Sequence, residues 1–121
     1  MSSEFKVNIG RSNTILYCDY WEKTIQFYRD ILKFTITYET DWFVEFQITN
    51  QAYLSIADTQ STTISSSKGN GLTLSFEIGD LDKAHSLLSK EGVNISQINP
   101  IWGTRSFYIF DPEGHRIEFW T

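Results

Sequence analysis

The sequence predicts an α+β chain in which two βαβββ modules form a curved mixed sheet with helices on its outer face. Three observations carry that prediction. Short runs of strand length with alternating apolar residues recur from Asn13 onward, interrupted twice by segments of helical period. Residues 13–24 (NTILYCDYWEKT) and 73–84 (TLSFEIGDLDKA) superimpose in pattern at an offset of 60, each giving a strand, a polar turn and a helix start. Between them, residues 58–71 (DTQSTTISSSKGNG) are almost all small and polar, which is the chemistry of a mobile surface loop. The expected organisation is an arm over 1–12, a first module over 13–57, a polar connection over 58–71 and a second module over 72–121, in one domain overall.

The elements follow in order. The arm alternates over residues 5–9 (FKVNI), which suits an added edge strand. Residues 13–18 alternate as a strand. Trp21, Ile25, Tyr28 and Leu32 fall at spacings of 4, 3 and 4, one face of a helix. Residues 34–39, 43–48 and 53–57 are β-rich runs separated by polar breaks. In the second half, residues 72–78 form a strand. Leu81, Ala84, Leu88 and Glu91 mark a helix that Gly92 is suited to end. Residues 93–97 make a short strand. Residues 107–110 and 116–120 are strands joined by Asp111-Pro112-Glu113-Gly114, a tight turn in which Pro fixes φ and Gly accepts φ > 0.

Strand alternation assigns two faces. Thr14, Leu16, Cys18, Leu54, Ile56, Leu74, Phe76, Ile78, Ile117 and Phe119 lie on the face covered by the helices. The other face mixes rings with polar groups: Asn13, Ile15 and Tyr17; Tyr53, Ser55 and Ala57; Thr73, Ser75 and Glu77; Arg116, Glu118 and Trp120. It is either an ordinary solvated sheet face or the wall of a ligand cavity, in which rings supply burial and a few polar groups orient the ligand. Large rings are costly to leave bare, which favours a covered or concave face. The other aromatics of the helical segments, Trp21, Phe27, Tyr28 and Phe34, are expected in the core.

Composition narrows the function. Ten basic against 15 acidic residues give a net charge of −5, which argues against a nucleic-acid surface. No apolar run approaches the roughly 20 residues that cross a bilayer, so no membrane partner is expected. The start MSSEFKVNIG lacks the pattern of a signal peptide, and a cytoplasmic protein is expected. Cys18 is the single cysteine, so neither an intrachain disulfide nor a cysteine zinc cluster can form, and a buried thiol is usually inert. No Ser-His-Asp set is visible.

Two stretches carry a resemblance: WEKTIQFYRDILKF (residues 21–34) and WGTRSFYIFDPEGHRIEFW (residues 102–120). With the paired modules and the polar connection, residues 13–121 resemble the glyoxalase/bleomycin-resistance/extradiol-dioxygenase superfamily, the vicinal oxygen chelate proteins. The Trp-Gly-x-Arg-x-Phe start and the Asp-Pro-x-Gly turn look most like its bleomycin-resistance-type branch. The family's metalloenzymes hold a divalent ion with His, Glu or Gln on the first and last strands of each module. The resemblance places those positions at Asn13, Ser55, Thr73 and Glu118. Only Glu118 is a good ligand, and one carboxylate does not replace a set of three or four. His85, on the second helix, and His115, in the turn before the last strand, read as surface histidines. Neither a metal nor another cofactor is therefore expected.

What the resemblance then implies is the metal-free branch. A planar or amphipathic small molecule, often an antibiotic, is sequestered without turnover between aromatic side chains in a groove of a homodimer. Candidate ligand-binding residues are Tyr17, Trp42, Tyr53, Glu77, Trp102, Arg105, Tyr108, Glu118 and Trp120. The rings offer stacking surfaces, and Glu77 and Glu118 suit a cationic ligand. Some have a competing structural role: Arg105 in fixing the loop around Trp102, Glu118 as a partner for an arginine, Trp120 in packing against another subunit. The rival reading is a diverged glyoxalase- or dioxygenase-like enzyme, with Glu118 as metal ligand or with Glu118 or Glu77 as general base. A third is a dimerisation or regulatory module with a vestigial pocket.

Overall fold

The computed structural model describes residues 4–121, so the first three residues of the expected arm lie outside the described part. The fold is α+β, and its strands divide between a four-stranded and a five-stranded sheet. The first half contains β1 (Ser12–Cys18), α1 (Trp21–Gln26), β2 (Thr35–Glu39), β3 (Phe43–Thr49) and β4 (Ala52–Asp58), in sheet order β1-β4-β3-β2. The second contains β5 (Thr73–Glu77), α2 (Leu81–Ser89), β6 (Asn94–Ile95), β7 (Asn99–Ile101), β8 (Thr104–Phe110) and β9 (Arg116–Trp120), in order β5-β9-β8-β6 with β7 also on β8. The same path is traced twice: the first strand of each half lies parallel to its last, and the remaining pairs are antiparallel. A parallel pair needs a crossover, and the helix after β1 or β5 begins it.

Apolar alternation buries one face of each sheet under the helices. Leu16, Cys18, Val44, Phe46, Leu54 and Ile56 pack with Ile25, Phe27 and Tyr28, and Leu74, Phe107, Ile109, Ile117 and Phe119 with Leu81 and Leu88. Both sets belong to one core, bridged where Phe34 meets Phe76 edge-on at 6.2 Å. Trp21 packs against that core and donates its indole N–H to the Ile56 carbonyl at 2.9 Å. Thr14, expected on the covered face, is exposed, and burial on that face of β1 begins at Leu16.

Three local departures from the expected pattern have physical causes. The first helix is α-helical only to Gln26 and continues as a π turn over Phe27–Ile31, with Leu32 N–H reaching the Phe27 carbonyl at 3.1 Å. Phe27 and Tyr28 are both buried, which suits the wider turn better than strict α geometry, where neighbours point about 100° apart. The second helix stops at Ser89, short of Glu91, with Gly92 at φ +73° just beyond it. β7 was not anticipated, since Pro100 disfavours a central strand but is tolerated at an edge. Its two-residue turn to β8 is Trp102-Gly103, with φ +52° and +81°. That is the twist-matched hairpin geometry, in which Trp takes a position that usually selects Asn, Asp or Gly.

The turn between β8 and β9 is the main correction. His115 is not a surface residue: it is 2% exposed, and its Nδ1 lies 2.8 Å from Asp111 Oδ2. Asp111 also accepts the Tyr28 hydroxyl at 2.7 Å and the Glu113 and His115 amides at 2.9 Å. Glu113, equally buried, accepts the Asp19 and Tyr20 amides at 2.9 and 2.8 Å, just before α1, and the Ser66 hydroxyl. The turn thus points inward and clasps the first half of the chain. Ser66 is part of the polar connection, which is therefore anchored here; after β4 that connection also forms a single 3-10 turn at Thr59–Ser61.

Burial raises the Tyr28 phenol well above its ordinary range, assisted by Asp111, and raises the Cys18 thiol in the same direction. Both groups hold their protons more tightly folded than unfolded. Their contribution is fully present below the unfolded values, about 8.5 for Cys and about 10 for Tyr, and is lost as pH rises past them. Urea midpoints measured from pH 7 to 11 are expected to fall above about pH 8.5, and Cys18→Ala to remove the first part of that slope.

Candidate functional site

On the first sheet the open face is organised in cross-strand rows. Asn13, Tyr53 and Gln47 form one, Ile15, Ser55 and Glu45 the next, and Tyr17, Ala57 and Phe43 the third. Polar groups dominate the first two rows. Glu45 is buried and accepts from Arg11 Nη2 at 2.6 Å, from Thr37 Oγ1 at 2.9 Å and from Asn13 Nδ2 at 3.4 Å. Asn13 Oδ1 accepts the hydroxyl of buried Ser55 at 2.8 Å. The Arg11 guanidinium lies 4.0 Å above the Tyr53 ring, so Tyr53 is stacked by the protein itself. A bulge between Ile36 and Tyr38 in β2 lies at Thr37, whose side chain meets Glu45.

The third row is apolar and opens into a groove of about 580 Å³. Ile15, Tyr17, Trp42, Phe43, Ala57 and Ile64 supply its apolar lining, and Gln60, Ser61, Thr62 and Thr63 its polar rim. Trp42 and Phe43 lie with ring centroids 5.4 Å apart. Of the nine candidate residues, the groove brings together Tyr17 and Trp42.

The second sheet presents its own rows: Thr73, Arg116 and Phe110; Ser75, Glu118 and Tyr108; Glu77, Trp120 and Ser106. Glu118 accepts the Ser75 hydroxyl at 2.6 Å. Arg116 donates Nε–H to Thr73 Oγ1 at 2.9 Å and lies 4.7 Å over the Tyr108 ring. Glu77 borders a separate cavity of about 450 Å³, where Phe34 and Ile48 meet Phe76, Ile78 and Phe119. Arg105 is bound by Asp82 of α2 at 2.7 and 3.0 Å, and this pairing holds the Asp82 carboxyl below its usual range. Trp102 stands 98% exposed at the hairpin tip.

A metal does not fit these donors. Asn13 and Ser55 satisfy each other on the first sheet, while Thr73 and Glu118 are hydrogen-bonded on the second to Arg116 and Ser75. Among the described residues, no three His, Cys, Asp or Glu side chains gather into a potential metal cluster. Glu45 and Arg11 are the residues that sequence reasoning missed. The signal for Glu45 was the alternation of Phe43, Glu45 and Gln47, which puts it on the face of Ser55. Arg11 was hidden by its assignment to the arm.

No helix among the described residues is long and apolar enough to cross a membrane. Comparison with known proteins gives one family model, described as the Glyoxalase/Bleomycin resistance protein/Dioxygenase superfamily, which matches residues 11–119. No curated protein matches. Among solved structures, a glyoxalase/bleomycin resistance protein/dioxygenase from Nocardioides superimposes with a TM-score of 0.79 at 20% identity, over 98% of this chain and 85% of its own. TnmS3, an antibiotic binding protein from Streptomyces sp. CB03234, gives 0.76 at 17% identity over 97% of both chains. A lactoylglutathione lyase from Agrobacterium tumefaciens gives 0.74 at 18% identity, over 98% of this chain and 95% of its own. At these identities the likeness is one of fold.

Proposed function

The chain belongs to the Glyoxalase/Bleomycin resistance protein/Dioxygenase superfamily, and from that premise we propose that it binds a planar, amphipathic small molecule without a metal. The observation that carries this reading is the groove of about 580 Å³ walled by Tyr17, Trp42 and Phe43. Flat rings beside a rim of hydroxyl and amide groups suit stacking with polar orientation, the usual composition of a ligand pocket. The fold shared with an antibiotic binding protein makes planar antibiotics the first ligand class to test. The metal-free branch is supported by donors that are already closed on one another at Asn13–Ser55 and Ser75–Glu118.

The same reading includes a homodimer. The candidate residues on the second sheet do not line the groove on the first, so a second copy is the proposed source of the missing wall. Trp102 supports it: a fully exposed indole in a left-handed turn carries backbone strain of about 1–2 kcal/mol, which a contact outside the chain would account for.

Thermal-shift and tryptophan-fluorescence titrations against planar and cationic antibiotics test the proposal, with light scattering for the dimer. The expected result is a saturable rise in Tm, with about ten-fold weaker binding for Trp42→Ala, in the range that an aromatic anchor contributes. A mass twice the chain's 14.1 kDa is expected in solution. No response across a broad panel, or equal binding by Trp42→Ala, sinks the assignment of the groove.

A further inference from the structure

The polar connection ends in a second concavity that shares no residue with the aromatic groove. Its volume is about 540 Å³, and it lies between the loop 68–71 and the β8–β9 end of the second sheet. Among the described residues, Lys68 and Arg116 are the only charged ones lining it. In a chain with a net charge of −5, that local excess of positive charge runs against the average.

Arg116 is singular among the four arginines. Arg11, Arg29 and Arg105 are each paired with a carboxylate, Glu45, Asp30 and Asp82 respectively. Arg116 has no carboxylate partner among the described residues, and neither does Lys68. Yet Arg116 is held in place: its Nε–H is donated to Thr73, and its guanidinium rests over Tyr108. Both Nη groups remain without a protein acceptor among the described residues. A planar, oriented guanidinium whose Nη1/Nη2 edge is free is suited to the bidentate binding of an oxyanion.

The loop opposite is built to keep its shape. Gly69 packs directly on the β8–β9 turn, where a Cβ would come within 2.0 Å of the Gly114 carbonyl oxygen. The Ser66 hydroxyl, bound to Glu113, accepts the Lys68 amide at 3.0 Å. Lys68, Gly69 and Gly71 have φ of +55°, +84° and +75°. The Gly69 and Gly71 amides have no acceptor among the described residues, and runs of left-handed residues are a common source of anion-binding amides.

We propose that this concavity binds the phosphoryl group of a small phosphorylated molecule. Two unpaired cations match a dianion better than a monocarboxylate. The volume of about 540 Å³ and the acidic chain favour a small molecule over a nucleic-acid backbone.

Amide and guanidinium NMR of the full chain, titrated with inorganic phosphate at constant ionic strength, tests the site. Saturable shifts are expected at Gly69, Asn70, Gly71 and Arg116 Nε, with the Trp42 indole signal unmoved. Arg116→Gln should weaken binding about ten-fold and Lys68→Gln by a smaller factor, as expected for losing a bidentate and a single charged donor. Both side chains are exposed, and unchanged Tm values would confirm that the variants fold. Acetate should bind about ten-fold more weakly than phosphate. Shifts that fail to saturate, that chloride or acetate reproduces at equal concentration, or that persist unchanged in Arg116→Gln would overturn the proposal. The groove reading stands or falls separately, since its titration reports on Trp42.

Discussion

Asp111→Ala is expected to remove about 4 kcal/mol of folding stability, the scale of breaking a buried charged network by deleting one partner. The carboxylate is buried and accepts four hydrogen bonds: from the Tyr28 hydroxyl, the His115 ring and two turn amides. Alanine leaves all four donors buried, and each unsatisfied donor costs about 1–3 kcal/mol before relaxation. Asp111→Asn keeps the shape and one carbonyl acceptor, so a loss of about half that size is expected. Urea denaturation checks both as a lower midpoint at constant m. A loss under about 1 kcal/mol for alanine would mean that water replaces the carboxylate and that the turn is not a closed clasp.

Gly69→Ala comes second, at about 3 kcal/mol. Its φ of +84° is unfavourable for any side chain, and its Cβ would also lie 2.4 Å from the Gly114 carbonyl carbon. Both neighbours are backbone, so rotating a side chain cannot relieve the overlap. Gly71→Ala separates the two costs. It has φ +75° but nothing within 4 Å, so it should lose only the conformational part, about 1 kcal/mol. Thermal unfolding of the pair gives the difference. Equal losses would show that the loop moves aside and that its packing on the turn is soft.

The sequence was informative where a face is decided by alternation. Leu16, Leu54, Ile56, Leu74 and Ile117 are buried where their period puts them, and Tyr17, Tyr53 and Glu118 are on the opposite face. It was uninformative where the decisive contact joins distant residues. Asp111, Glu113 and His115 have the composition of an exposed turn, yet Asp111 and Glu113 bind Tyr28, Asp19 and Tyr20, all over 80 positions away. The π turn at Phe27 was likewise hidden, because Trp21, Ile25, Tyr28 and Leu32 satisfy an α-helical spacing whichever geometry closes the helix. For the candidate site, Tyr17 and Trp42 were legible as rings near one face. The closure of Asn13 on Ser55 and of Glu45 on Arg11 was not, since a list of polar residues on a sheet does not say which are already satisfied.

The repeat is asymmetric at the turn before its last strand. In the second half Asp111, Glu113 and His115 of that turn are buried, and Glu113 holds the start of α1; in the first the turn is Asn50-Gln51, exposed on both residues. Two copies of one architecture therefore differ in evolutionary freedom. The later turn is locked to a geometry set by another part of the chain, and a residue gained or lost there would break contacts in both halves. The earlier turn answers chiefly to its own two strands and the neighbouring Ser12 amide. It is the place where this chain can acquire an insertion, a tag or a new recognition loop without disturbing the contact that joins its halves.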